Sequence, residues 1–586
     1  MSASRTRVLV LGGYGVFGGR LVELLGECER LDVIVAGRSR DKADQFCASL
    51  TTDCRLEPAA VDRDGDIGGA LDALAPDILI DASGPFQAYG ERPYHVVEAA
   101  LPRGIHYLDL ADSAAFVCGI SRFDRAAKAA GVFVLSGLST CPALTAAAVH
   151  ELSPDLASVD SIAAGIAPSP AADVGASVIR AVASYAGQAV SVIVDGEPAR
   201  RHALMDHRDV TVGVPGELPL YRRRFSLVDV PDLELLRDVC PGASDIWVGA
   251  AIAPPILHRV LNTMAALARW RLLPSLLPFA ALMHRISNRL AWGEHRGGMF
   301  VTVTGRGPSS ESVQRSWQLT ANGARGPYIP AIAAAAVVRR VSAGESPAAG
   351  ARPATREISM KDFNRYFASL GIRTGVREQA SGSKASLYQR VLGDAWFQLP
   401  ETLRTLHGEF STTPDPAEVP TTKWRGRARV TRGGGVLAKL VCSVFGFPPA
   451  SDDVDVTVEF QRKQGRETWV RDFAGSRFSS VQYAGRGAYE GLLCERFGPF
   501  RFGLGTVVEE GVLHLPIRRW DCLGLRLPLW LAPGSNTREF ESDGRFRFRV
   551  DLSLPVIGPL VCYDGYFDEE LSASTTDRAP NFARAR

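Results

Sequence analysis

The sequence predicts three stretches of different fold class. A doubly wound α/β domain comes first, a mixed α+β segment follows, and a mostly antiparallel β domain closes the chain. Three observations carry this. Over 1–150, short apolar runs rich in branched residues alternate with helical stretches, the pattern of a parallel sheet covered on both faces. From 151 to about 350, strand-like and helix-like runs mix without that alternation. From about 385, strand-like runs succeed one another with Gly-containing turns between many of them. The 586 residues are also too many for one simple core.

In the first stretch, strands are expected at Arg7–Leu11, Asp32–Ala36, Leu56–Val61, Asp77–Ile80, His106–Leu108 and Val132–Leu135. Helices are expected at Gly18–Cys28, Asp41–Leu50, Tyr94–Leu101 and Ser121–Ala130. The middle, 151–325, offers strands at Ser158–Ala167 and Met299–Gly305 and a helix over Ala172–Ala186. An Ala-rich helix lies within Gly326–Val341, and 346–384 reads as a linker and a polar segment. The β domain spans 385–575, opened by a helix around Leu387–Leu406.

Composition excludes some functions. Lys and Arg number 66 against 64 Asp and Glu, a net +2, without the basic footprint that gripping nucleic acid requires. The ten cysteines are scattered and form no CxxC pair, so neither a zinc ribbon nor a thioredoxin motif is suggested and no metal site is expected. The N-terminus runs straight into an apolar strand, unlike a signal peptide. The chain therefore reads as cytoplasmic. Segment 254–292 complicates that reading. Its uncharged run Leu272–Met283 contains Pro274 and Pro278 and falls short of the roughly 20 apolar residues of a spanning helix. Arginines flank it. It reads either as a packing or dimerisation arm or as an interfacial segment touching a membrane surface.

The strongest motif follows the first strand: Gly12, Gly13, Tyr14, Gly15, Val16, Phe17, Gly18. It contains G-x-G-x-x-G at Gly13, Gly15 and Gly18, placed between a strand and a helix. There the glycines permit a tight turn, close approach to a pyrophosphate and close helix packing, and helix amides face the anion. After the second strand an NAD site usually carries Asp or Glu. This chain has Gly37, then Arg38, Ser39 and, further on, Lys42. A cation and a hydroxyl at this place suit a 2′-phosphate, so NADP(H) is favoured. Two further loops leave the ligand-binding edge of the sheet: Asp81–Phe86, with Ser83, Gly84, Pro85 and Phe86, and His106–Asp112.

Taken together, LVLGGYGVFGGRL, AGRSRDKA, DASGPF, HYLDLAD and GLSTCP resemble the saccharopine-dehydrogenase-like reductases. The resemblance implies a split Rossmann domain, completed by the helix near 326–345, with an α+β substrate domain inserted. It implies hydride transfer with NADP(H). Gly13, Gly15 and Gly18 match the phosphate turn, Arg38 and Ser39 the 2′-phosphate site, Ser83–Phe86 the nicotinamide loop, and Asp62 an acidic position near the adenine. Relatives often continue the fifth strand as Tyr-x-Asp-x-x-Gly-Glu. Here Asp112-Ser113 stand in place of Gly-Glu, so the substrate does not carry over, and no array of arginines suggests saccharopine itself. The C-terminal stretch resembles a bacterial domain of unknown function that often follows such reductases, in Trp424-Arg425-Gly426, Phe445–Pro448, Glu467–Phe473, Glu495–Pro499 and Tyr563–Tyr566. Its many aromatics either fill a core or enclose an apolar cavity.

Reduction of a C=C, C=N or C=O bond needs a proton source beside the hydride donor. Tyr107, Asp109 and Cys141 are the leading candidates, with Tyr89, Asp112 and the pair Glu294-His295 behind them. Each has a structural alternative: a strand aromatic for Tyr107, a turn cap for Asp109, an inert small hydrophobe for Cys141. Two functions are expected to compete. One is an NADP-dependent reductase of an apolar or lipid-linked small molecule. The other is an NADP-binding scaffold associated with lipid or membrane.

Overall fold

In the computed structural model the described residues are 5–571, except 171, 173–174, 274, 290–293, 381–384, 409–420 and 464. They form two compact units. One comprises residues up to 212 together with 222–374; the other comprises 213–221 and the chain from 375 onward.

The first unit opens with β1 (Thr6–Leu11), α1 (Val16–Gly26), β2 (Leu31–Gly37), α2 (Arg40–Ser49), β3 (Arg55–Ala60), α3 (Ile67–Leu74), β4 (Ile78–Asp81), α4 (His95–Ala100), β5 (His106–Asp109) and β6 (Phe133–Ser136). These strands make a parallel sheet in the order β6-β5-β4-β1-β2-β3. All four residues Val8–Leu11 are buried, as are Val33–Ala36 and Ile78–Asp81, which is why these strands read as unbroken apolar runs. The order reverses direction at β1, and the crevice between β1 and β4 is where such sheets take ligands.

A seventh parallel strand, Gly350–Pro353, pairs with β6. It lies in the segment expected to be a linker. Edge position explains the disguise: Pro353 is tolerated there, and the strand is held by Gly350 N–H to Val132 O (2.9 Å) and Ala351 N–H to Asp124 Oδ1 (3.1 Å). Helix Met360–Leu370 follows, opened by a capping box at Ser359 and Asp362. The Ala-rich helix runs over Ile329–Ser342 and packs on α1. Just before it, Arg20 of α1 donates to the Tyr328 hydroxyl (3.3 Å). The chain thus returns to the first sheet after the insertion.

The inserted domain is built on Ser158–Ala167, which pairs parallel with Asp245–Ala250 and antiparallel with Arg296–Arg306; Ser312–Asn322 pairs with the latter. The helix expected over Ala172–Ala186 is observed at Ala176–Tyr185, and 173–174 lie outside the described residues. The arm consists of helix Pro255–Arg269, a short turn at Leu277–Phe279 and helix Ala280–Arg289; Pro274 and 290–292 lie outside the described residues. One face of the arm packs inward. His258, buried, accepts from Ile252 N–H (3.0 Å) and bonds Ser226 Oγ (2.7 Å), and Asn262 donates to Leu204 O (2.6 Å). The other face leaves Ile256, Val260, Trp270, Leu272 and Leu282 exposed. Among the described residues no helix is long and apolar enough to cross a membrane.

Among the described residues the second unit is built on an antiparallel sheet of fourteen strands. Its central run is Arg545–Leu554, Gly558–Leu571, Thr421–Arg432, Ser451–Lys463, Arg466–Phe473 and Ser476–Ala484. The single helix expected at its start is two, Leu387–Leu392 and Glu401–His407, broken at Gly393 and Pro400. Helix Val436–Val444, unforeseen in the sequence, interrupts the strands. The whole is therefore an α/β Rossmann domain with an inserted α+β domain and a C-terminal, mostly antiparallel β domain.

The turn after β1 is packed backbone against backbone. A Cβ on Gly18 would lie 2.1 Å from the Gly12 carbonyl oxygen; on Gly15 it would meet only that same oxygen, at 3.0 Å. Gly18→Ala is expected to destabilise this unit by roughly 1–3 kcal/mol through overpacking. Gly15→Ala should stay within about 1 kcal/mol of the parent. Thermal midpoints of the two variants check the contrast.

Candidate functional site

The site grows from the C-terminal ends of the parallel strands. Gly13 N–H bonds Ala36 O (2.9 Å) and Gly15 N–H bonds Gly12 O (2.8 Å), closing the turn. Gly12 has φ +74°, and a Cβ there would strike Ala82 O at 2.8 Å, so this turn presses against the loop after β4. Gly15 is exposed and is the N-cap of α1, with no side chain capping the helix. Val16 and Phe17 begin that helix. An uncapped helix start under an exposed glycine fits a phosphate group.

At the end of β2, Tyr14 folds over Gly37. A Cβ on Gly37 would meet the Tyr14 hydroxyl at 2.5 Å, and Ser39 N–H donates to that hydroxyl (3.0 Å). Tyr14 thus fills the space where an acidic side chain would bind ribose hydroxyls. Arg38 is exposed and has no partner among the described residues, whereas Arg40 pairs with Asp44 (3.2 Å). Ser39 caps α2, its Oγ accepting from Lys42 N–H (3.4 Å); the Lys42 side chain is exposed. Val61 N–H bonds Gly37 O (2.9 Å), which sets the exposed Asp62 beside the same edge. A free guanidinium, a hydroxyl and an ammonium gathered without a carboxylate at Gly37 fit a 2′-phosphate.

The loop after β4 is held by Asp81, fully buried. Its Oδ1 accepts Ser83 N–H (3.0 Å) and Ser83 Oγ–H (2.5 Å), and the Tyr89 hydroxyl reaches both oxygens at 3.2 Å. Arg63 stands 3.5 Å from Asp81 and lies over the Tyr89 ring, 3.2 Å from its centroid. Burial and the Asp81 charge push the Tyr89 phenol well up, so it stays a donor. Phe86 is buried at the end of this loop, and Gln87, next along, donates to Asp112 Oδ1 (3.1 Å).

Asp109, Tyr107 and Cys141 sit deeper. Asp109 accepts the N–H groups of Gly137 (2.7 Å) and Ala111 (3.0 Å), tying together the loops after β5 and β6; its second oxygen has no hydrogen-bond partner within bonding geometry among the described residues. Burial, opposed by those hydrogen bonds, raises its carboxyl to about 7. Tyr107 is buried in β5 with an unpartnered hydroxyl, pushed up chiefly by burial. Cys141 is buried, and burial followed by the neighbouring Asp232 holds its thiol protonated. Thr145 also donates to Asp232. This cluster pins the chain after β6 to helix Asp232–Val239 of the inserted domain. Glu294 binds Arg296 (2.9 Å), and His295 is exposed.

The groups that do converge beside the β4 loop come from distant parts of the sequence. Asp112 is half-buried at the end of β5; burial, and secondarily Asp229, raise its carboxyl. Tyr185, half-buried, is raised by burial and by the charges of Asp112 and Asp229. Its helix starts at Gly175, where a Cβ would touch Val16 Cγ2 at 3.4 Å, and packs on Phe86–Ala88. One helix thus runs from the glycine turn to the acidic pair. Sequence reading named Asp112 but missed Tyr185, Asp229, Asp232 and Arg63. The only local signal was the Asp229-Val-Pro-Asp232 spacing before a helix, which reads equally as a cap.

The ordinary carboxyl value is 3.8, and Asp109 in the fold stands near 7. The folded protein therefore keeps a proton that the unfolded chain releases, and stability falls as pH rises between those values. Asp109→Asn keeps an acceptor for both N–H groups and removes the penalty. Its thermal midpoint should gain on the parent from pH 4 to pH 7, by at least about 1 kcal/mol in stability, and stay parallel above that.

Residues 8–135 match the family model of the saccharopine dehydrogenase NADP binding domain, and 399–567 match a domain of unknown function, DUF4166. No curated protein matches the chain. Among solved structures it is similar to an apo histidine-tagged saccharopine dehydrogenase (L-Glu forming) from Saccharomyces cerevisiae, with 13% identity, 64% of this chain and 100% of that one covered, and TM-score 0.46. It is also similar to a probable dehydrogenase from Thermotoga maritima, with 10% identity, 63% and 98% covered, and TM-score 0.30. Residues 8–135 are thus an NADP-binding domain of the saccharopine dehydrogenase type joined to a DUF4166 domain, and the chain is an NADP-dependent oxidoreductase.

Proposed function

We propose that the chain reduces a C=C, C=N or C=O bond of a small apolar, lipid-like molecule, and that Asp112 supplies the proton. The observation that carries this is the position of Asp112. It is bonded through Gln87 to the loop proposed to face the nicotinamide, and it stands in the field of Asp229 and Tyr185 from the inserted domain. When bound, NADPH supplies the hydride.

The chain's own residues do the rest. Gly12–Gly18 and the start of α1 would hold the pyrophosphate; Arg38, Ser39 and Lys42 the 2′-phosphate; Asp62 the adenine edge; Ser83–Phe86 the nicotinamide half. Asp112, raised by burial and by a like charge, keeps its proton nearer to neutral pH than an ordinary carboxyl, as a general acid requires. Tyr185 is a second donor beside it. Asp109 and Cys141 position loops rather than meet substrate. An apolar substrate is supported by the exposed outer face of the arm, whose Val260, Trp270 and Leu272 suit contact with a lipid surface.

Two variants test the reading. Arg38→Glu should weaken NADPH binding by roughly tenfold to a hundredfold, the loss of a charge-assisted contact, and leave NADH binding nearly unchanged in a fluorescence titration. An unaltered preference would refute the 2′-phosphate site. Asp112→Asn should lower kcat for NADPH oxidation, with apolar enals, imines or ketones as acceptors, by about 10² or more, without changing the NADPH dissociation constant. Full kcat in that variant would remove Asp112 from the reaction.

A further inference from the structure

The C-terminal sheet curves round a partly open cavity of about 340 Å³, a size at which small-molecule sites begin, roughly 300 Å³. Its wall is aromatic, with Phe447, Trp469, Phe478, Phe497 and Phe546 among the side chains facing it. The rings are ordered against one another: Phe447 and Phe497 stack at 6.0 Å with their planes 5° apart. Protein interiors leave few voids larger than a water molecule, and a space of this size among so many large rings is not a packing fault of one residue.

The polar groups in the wall are few and mostly satisfied. Arg471 stands 3.4 Å from Glu495 and donates to Ser480 Oγ (2.9 Å), which in turn donates to Glu495 (2.6 Å). Gln482 accepts from the Tyr388 hydroxyl (2.9 Å). Glu539 is bonded by His407 (2.6 Å). The exception is Tyr563. Its ring faces the cavity, it is 4% exposed, and its hydroxyl has no hydrogen-bond partner among the described residues. A buried hydroxyl left unpaired costs about 1–3 kcal/mol, and burial pushes this phenol up so that it remains a donor.

We propose that this cavity is a binding site for a neutral, apolar molecule bearing one acceptor oxygen, a hydroxyl, carbonyl or ester on a hydrocarbon chain or ring, and that Tyr563 donates to that oxygen. An anionic head group is disfavoured because Arg471, the cation of the wall, is already neutralised by Glu495. The surroundings suit an apolar ligand. Helix Val436–Val444 turns Val441 to the cavity and leaves Val436, Leu437, Leu440 and Val444 exposed. Pro533 faces the cavity two residues after the exposed run Leu529, Trp530 and Leu531, and Leu554 faces it two residues before the exposed Val556. Wall elements that also show apolar side chains to water mark a surface for apolar partners. Every group used here belongs to the C-terminal unit, so the inference stands apart from the hydride-transfer reading.

The test uses the full chain and the neutral fluorescent probe N-phenyl-1-naphthylamine. Saturation at one probe per chain is expected, with a dissociation constant on the order of 1 μM. 1-Dodecanol should displace the probe, and dodecanoate should do so at least about tenfold more weakly, because a carboxylate finds no free cation. Ile517→Trp, which fills the cavity, should weaken the probe by about tenfold or more. Tyr563→Phe should keep the probe and weaken dodecanol by about fivefold; this variant removes one unpaired oxygen and serves where the larger tryptophan disturbs folding, as judged by circular dichroism. Non-saturable binding, no displacement by dodecanol, or unchanged affinities in folded variants would overturn the site. Equal displacement by dodecanoate would overturn the neutral head group.

Discussion

The structure of the first unit depends on the contact of two loops with no room for a side chain between them. Gly18 lies against the Gly12 carbonyl, and Gly12 in turn against Ala82 and Ser83. Backbone packed on backbone cannot relax by rotating a side chain, so the turn after β1 and the loop after β4 are set in one position relative to each other. Everything proposed to touch the nucleotide hangs from these two loops. The buried Asp81 completes the arrangement from below: it fixes Ser83 and Tyr89 by hydrogen bonds and draws Arg63 against the sheet edge.

On this frame the inserted domain is held by a second buried carboxyl. Asp232, reached by Thr145 and the Cys141 thiol, has its carboxyl raised to about 6, mainly by burial. Isolated buried charge is expensive, and a buried acid commonly retains its proton instead. Asp109, Asp112, Asp229 and Asp232 are all raised from the ordinary carboxyl value. Tyr107 and Cys141, prominent in the sequence, are buried alongside Asp109 and Asp232.

How far the sequence discloses this follows from where the information is local. The strands β1, β2 and β4 are legible because burial on both faces writes them as apolar runs, and the glycine turn because its spacing is geometric. The strand Gly350–Pro353 escapes because an edge strand needs little apolar character and this one takes its place from bonds to Val132 and Asp124. Helix Val436–Val444 escapes because its neighbours on both sides are strands. The acidic pair is hidden for a different reason: Asp112, Tyr185 and Asp229 lie far apart in the chain and meet only once the inserted domain folds back, so no spacing announces them. The choice between a filled core and a cavity in the β domain likewise depends on volumes that composition does not encode.

The position of Tyr14 has a consequence for how cofactor preference could ever change. An acid at residue 37 is the ordinary route to NAD, yet its first carbon would occupy the place of the Tyr14 phenol. The two residues are therefore locked as a pair, and the order of substitution matters. Tyr14 must shrink before residue 37 can grow, and in the interval Ser39 N–H loses its acceptor. Reversal of the preference is then a path with an uphill first step, and the aromatic ring acts as a ratchet that keeps the chain on the phosphorylated nucleotide.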